Sequence, residues 1–148
     1  MVAAAEIVRA VGILRNGGVV GLPTETVYGL AAAARDARAV DRIFEVKGRP
    51  RHHPLIVHVA DLATARSWSS DWNPIADALA REFWPGPLTL IVRRASFVPD
   101  AVTGGQDTVA LRVPRHPVGL RLLQEFGDGL ASPDRKSTRL NSSHANIS

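Results

Sequence analysis

The sequence predicts an α/β or α+β domain built around a mixed sheet, on three observations. Segments with helical and with extended hydrophobic patterning alternate along the chain, as they do where helices cover a sheet. Capping and stop residues separate those segments, with Asp36, Asp61 and Asn73 ahead of helical stretches and Gly17, Gly48 and Pro85 behind them. The 148 residues are 45% hydrophobic, enough for one ordinary buried core.

Each element follows in order. Residues 4–16 place Ile7, Val11 and Leu14 at i, i+4 and i+7 with Val8 beside them, an amphipathic helix stopped by Gly17 and Gly18. Residues 19–22 form a short apolar run, the pattern of a buried strand, which Pro23 ends. Asp36 caps a helix over residues 37–47 that presents Val40, Ile43, Phe44 and Val46 and stops at Gly48. Residues 55–59 read as the next strand, and Asp61 caps a short helix toward Trp68. Asn73 and Pro74 suit the N-cap and first turn of a helix carrying Ile75, Leu79 and Phe83, which Pro85-Gly86-Pro87 breaks. Residues 88–92 and 109–113 read as strands, and residues 117–126 as a helix with Leu120, Leu123 and Phe126 on one side.

Composition narrows the function classes. The apolar runs are interrupted well before the ~20 residues that would span a bilayer, so no membrane span is expected. Residues 1–6, MVAAAE, carry no basic or apolar signal region, and the cytoplasm is the expected location. With no cysteine, disulfides and thiolate metal sites are excluded. The formal charge of +4 comes from 18 basic residues, two of them Lys, against 14 acidic ones. Three of the basic residues and one acidic residue lie in residues 134–148, so the rest of the chain carries only +2.

That terminal stretch, DRKSTRLNSSHANIS, lacks hydrophobic periodicity and resembles the conceptual translation of a sequencing-library adapter. The expected organisation is an incomplete domain over residues 1–133 followed by a non-native tail over 134–148. Its only large aliphatics are Leu140 and Ile147, too few to offset an ordering cost of ~1–2 kcal/mol per residue, so the tail is expected to be poorly ordered.

Two segments carry residues suited to chemistry. Thr24, Glu25 and Thr26 stand at the end of a buried strand, where open α/β sheets place ligands. On composition alone, Thr24 is better read as the cap of a following helix with Glu25 in its first turn. Residues 47–59, KGRPRHHPLIVHV, gather Lys47, Arg49, Arg51, His52, His53 and His58. A Lys-x-Arg pair in a loop suits a polyphosphate, because arginine forks onto phosphate and lysine supplies a mobile point charge. A cation answering a helix dipole explains Lys47 alone but not the whole cluster. His58 alternates with Val57 and Val59 and so faces away from them. The three histidines have no carboxylate or cysteine at matching spacing, which argues against structural zinc.

Five ordered segments, PTETVYGL at 23–30, KGRP at 47–50, HPLIVHV at 53–59, FWPGPLTLIV at 83–92 and TVALRVP at 108–114, resemble the YrdC-like family of threonylcarbamoyl-adenylate synthases. The likeness runs from the first helix through Pro133. It implies a YrdC-like twisted mixed β-sheet flanked by helices, with its C-terminal part missing. It also implies a nucleotidyltransferase that joins threonine, bicarbonate and ATP into threonylcarbamoyl-AMP with release of pyrophosphate, for modification of tRNA by a downstream transferase. By the same likeness Thr26, His58, Arg112 and Ser132 contact threonine, and Lys47, Arg49, His53 and Thr108 contact the nucleotide. Arg112 would pair with the substrate carboxylate, while Lys47 and Arg49 would stabilise charge developing on the phosphates. A magnesium ion on those phosphates is expected.

Two departures stand out. His53 replaces the family's Asn before Pro-Leu, and Asp134 and Lys136 fall where the family has the Ser and Asn of a Ser-x-Asn signature. Without that signature and the residues beyond it, this chain is expected to be inactive. The alternatives are a double-stranded RNA or tRNA binder of the same fold, with Arg49, Arg51, Arg112 and Arg115 on a basic surface, and a carbamoyltransferase-type homologue.

Overall fold

The computed structural model describes residues 4–25, 28–48, 53–133, 139–141 and 146–147, with backbone alone at Tyr28, Lys47 and in the last two stretches. The described elements begin α1 (Ala4–Arg15), β1 (Val20–Pro23), β2 (Tyr28–Ala33), α2 (Ala37–Lys47) and β3 (Leu55–His58). There follow α3 (Leu62–Ser67), β4 (Ser69–Asp71), α4 (Pro74–Phe83), β5 (Thr89–Arg94) and α5 (Asp100–Thr103). The chain continues through β6 (Thr108–Arg112), α6 (Pro117–Phe126), β7 (Leu130–Pro133), β8 (Arg139–Asn141) and β9 (Asn146–Ile147).

The capping residues act as their chemistry dictates. Asp36 accepts from the backbone N–H groups of Arg38 and Ala39, and Gly48 closes α2 at φ 66°. Asp61 accepts from Thr64 N–H and Asn73 from Ala76 N–H, fixing the starts of α3 and α4. The expected helix after Thr24 is not there. Residues 28–33 instead form β2, antiparallel to β1, because that segment lies between β1 and β7 and satisfies its backbone in the sheet.

The sheet is mixed, in the order β1-β2-β7-β3-β6-β5-β8-β9, with β4 also on β5. β3 and β6 run parallel, and β7 pairs antiparallel with both β2 and β3. Of the terminal stretch expected to be poorly ordered, the described residues 139–141 and 146–147 form strands, and the rest lie outside the described residues. Backbone pairing places Arg139–Asn141 parallel to Thr89–Ile91 of β5, and β9 returns antiparallel on β8. Main-chain pairing to a strand edge asks little of side-chain periodicity, so an aperiodic segment can still add a strand.

Two apolar clusters lie on opposite faces. Leu55, Val57, Leu90, Val92, Val109, Leu111 and Ala131 of the sheet pack against α2, α3, α4 and α5 through residues such as Ile43, Ala65, Ala80 and Val102. On the other face Leu22, Ala31 and Leu130 pack against Ile7 and Leu14 of α1 and Leu122 and Leu123 of α6. The close fit of α6 on β1 depends on Gly119, where a Cβ would stand 2.1 Å from the Pro23 carbonyl oxygen. Among the described residues no helix is long and apolar enough to cross a membrane.

Candidate functional site

The face that carries α1 and α6 turns polar toward the centre of the sheet. His58 at the end of β3 lies opposite Arg112 at the end of β6, and Ser132 of β7 lies opposite Ile56. Residues directly opposite each other share a face and alternate residues return to it, so His58, Arg112 and Ser132 stand together, away from Val57, Leu111 and Ala131. The expectation that His58 faces away from its valine neighbours holds, since Val57 and Val59 belong to the larger core. All three polar residues are buried, at 4%, 2% and 4% exposure.

Burial decides the chemistry of His58. Desolvation, with the Arg112 charge adding to it, pushes its pKa down to about 3, while a hydrogen bond to the Leu130 backbone acts in the opposite direction. The ring is therefore neutral at physiological pH. Its Nδ1 is buried without a hydrogen-bond partner among the described residues. A buried polar atom of that kind costs roughly 1–3 kcal/mol until something pairs with it. The Ser132 hydroxyl donates to the Leu30 carbonyl at 2.7 Å, which leaves its oxygen able to accept. Gly29 keeps the space beside it open, since a Cβ there would come within 3.1 Å of Ser132 Oγ.

Arg112 is held from two sides. Its Nε donates to the Gly86 carbonyl at 2.9 Å, and Nη2 lies 2.7 Å from Glu25 Oε1. Gly86 belongs to the turn between α4 and β5, where the Trp84–Pro85 peptide is cis and Gly86 N–H donates to the Val113 carbonyl. A Cβ on Gly86 would stand 2.7 Å from the Phe83 carbonyl oxygen, so the turn needs glycine there. Glu25, between β1 and β2, also accepts from Arg115 N–H at 3.0 and 3.2 Å. Sequence reasoning placed Glu25 at a strand end but not on Arg112, and read Pro85-Gly86-Pro87 only as a helix breaker. Both contacts join segments far apart in the chain, so local pattern gives no signal for either.

The other expected residues divide into described and undescribed. Thr108 opens β6 opposite Arg93, on the same face as Arg112 and about 13 Å along the strand from it. His53 is half-buried just before β3 and has an interaction partner. Lys47 is the last residue of α2, with its side chain outside the described residues. Thr26 and Arg49 lie outside the described residues altogether, as do Arg51 and His52. Thr24 is half-buried at the end of β1. Among the described residues no group of three or more His, Cys, Asp or Glu side chains could hold a metal ion.

Comparison with known proteins gives a consistent picture. The Sua5_yciO_yrdC family, described as "Telomere recombination", matches residues 12–145. A threonylcarbamoyl-AMP synthase of Pyrococcus abyssi is 47% identical over 84% of this chain and 36% of its own length. The Bacillus subtilis threonylcarbamoyl-AMP synthase is 46% identical over 86% of this chain and 37% of its own. The crystal structure of P. abyssi Sua5 complexed with L-threonine superposes with a TM-score of 0.87 at 44% identity, covering 90% of this chain and 39% of that one. This chain thus spans little more than a third of the length of these three relatives.

Proposed function

This chain belongs to the Sua5–YciO–YrdC family, and from that premise we propose that its fold is that of a synthase domain that binds L-threonine and ATP and joins them with bicarbonate into threonylcarbamoyl-AMP, releasing pyrophosphate and water; the 148-residue chain itself, with Asp134 and Lys136 at the Ser-x-Asn positions, binds threonine without turnover. The observation that carries this reading is the buried pair of a charged guanidinium and a neutral imidazole with an unpartnered Nδ1. An amino acid with a side-chain hydroxyl has the groups such a pair recognises. Its carboxylate pairs with Arg112, and a hydroxyl or amine proton of the substrate is accepted by His58 Nδ1. Ser132 Oγ accepts a second proton, and Thr26 completes the threonine contacts.

The nucleotide extends along the same face past Thr108, with His53 beside it. Lys47, the last residue of α2, and Arg49, two positions on in the sequence, supply positive charge where the α-phosphate gains negative charge and pyrophosphate departs. Their work is electrostatic, favouring the transition state over the bound reactants. A magnesium ion would enter with ATP and take its ligands from the phosphates and water, because the described residues offer no cage for it. The product is a mixed anhydride, activated for transfer to an amine such as that of adenosine in tRNA, and the cytoplasm is where such a partner is met.

The test is a threonine titration followed by a pyrophosphate-release assay. Threonine is expected to bind the 148-residue chain, and release from ATP, in a chain that carries the family's residues from position 134 onward, to require both threonine and bicarbonate. Absence of threonine binding, or salt-sensitive tRNA binding with no turnover in a chain that carries the family's residues from position 134 onward, would replace the synthase by an RNA-binding role.

A further inference from the structure

The Glu25 carboxylate makes the contacts that an incoming carboxylate would seek: a guanidinium nitrogen of Arg112 at 2.7 Å and the Arg115 backbone N–H at 3.0 and 3.2 Å. An arginine charge at ion-pair distance, together with a backbone N–H that reaches both oxygens, is a receptor for one carboxylate. Two carboxylates cannot share it without repulsion. Glu25 is the outer partner, its side chain 24% exposed against 3% for Arg112. Arg112 Nη2 is therefore covered by Glu25 rather than open to solvent.

We propose that Glu25 is a resident carboxylate that occupies, in the free protein, the place taken by the substrate carboxylate on Arg112 and Arg115 N–H. Binding is then an exchange of one carboxylate for another, and Arg112 is never left buried and uncompensated. This arrangement favours substrates that bring a carboxylate, because a ligand without one would displace Glu25 and strand a buried charge. The identity of threonine as the displacing ligand rests on the function proposed above; the exchange itself does not.

The experiment uses the 148-residue chain and two probes, acetate and L-threonine, with the Arg115 backbone amide signal as the reporter. In Glu25→Ala, acetate is expected to shift that signal saturably, whereas in the wild type it does not. The effect should vanish in Glu25→Ala combined with Arg112→Leu. Threonine is expected to bind Glu25→Ala and Glu25→Gln about 2–5-fold more tightly than wild type, the worth of a partly exposed ion pair. Glu25→Gln keeps the side chain's shape, so it separates exchange from misfolding in the alanine variant. If acetate leaves the Arg115 amide unmoved in Glu25→Ala, or if both variants bind threonine more weakly, the exchange is refuted and Glu25 merely positions Arg112. Saturable acetate binding with no threonine binding by any protein would keep the exchange and remove threonine as its occupant.

Discussion

His58 links the site to the stability of the whole chain. It is neutral when folded, with a pKa of about 3, and titrates near 6.5 when unfolded. Between those values the unfolded chain binds the extra proton, so stability rises with pH across the window from about 3 to 6.5 and is lost as acid is added. Denaturant unfolding at about pH 7 and 4.5 should therefore show a smaller acid loss in His58→Asn than in wild type. Equal losses would mean that other groups drive the acid response. Arg112→Leu should weaken threonine about 10–100-fold, as expected for a lost charged hydrogen bond, and ATP far less. Separate titrations of the two ligands check this, and equal weakening would assign Arg112 to the fold. In a chain that carries the family's residues from position 134 onward, Lys47→Ala or Arg49→Ala should lower pyrophosphate release by about 10²–10³ without unfolding the protein. Unchanged release would return both residues to a helix-dipole role. At this scale the sequence was legible where a polar residue interrupts an apolar strand, as His58 does in Leu-Ile-Val-His-Val and Arg112 does in Val-Ala-Leu-Arg-Val. Glu25 was visible as a carboxylate, but its partner lies on β6 and no local pattern points there.

The elements differ in how openly the sequence declares them. α2, α3 and α4 announce themselves through Asp36, Asp61 and Asn73, because a cap is a contact between near neighbours. β2 does not: its Ala31, Ala32 and Ala33 favour helix intrinsically, and only the strands on either side make it extended. β7 is equally quiet, four residues ending in proline whose buried pattern reflects neighbours rather than alternation. Close approach of elements is similarly non-local, and Gly119 tests it. Gly119→Val should lower the denaturant midpoint by an amount equivalent to about 1–3 kcal/mol, since its side chain would run into Pro23 of β1. Gly12→Ala in α1 is the control, with nothing within 4 Å of the added Cβ, and should be stabilising by up to about 1 kcal/mol. A midpoint unmoved by Gly119→Val would show that α6 can lift from β1 at no cost.

For the molecule as a whole, the sheet has one edge that depends on its terminal stretch. β8 covers Thr89–Ile91 of β5, and β4 covers the Arg93–Arg94 end of the same strand. Ending the chain after Pro133 should leave Thr89–Ile91 without that neighbour and raise self-association, measured by light scattering against protein concentration. Scattering identical to that of the 148-residue chain would show that β8 protects nothing. The place of β7 reaches further. It is made after α1 to α6 yet lies between β2 and β3, and it supplies both Ser132 and the Leu130 backbone beside His58. During synthesis every residue up to 129 emerges before the strand that pairs with both β2 and β3 is made. The nascent chain must wait with two unpaired interior edges, a state of high contact order and slow closure that exposes it to aggregation. The face that brings His58, Arg112 and Ser132 together is thus completed only by the same late strand that seals the sheet.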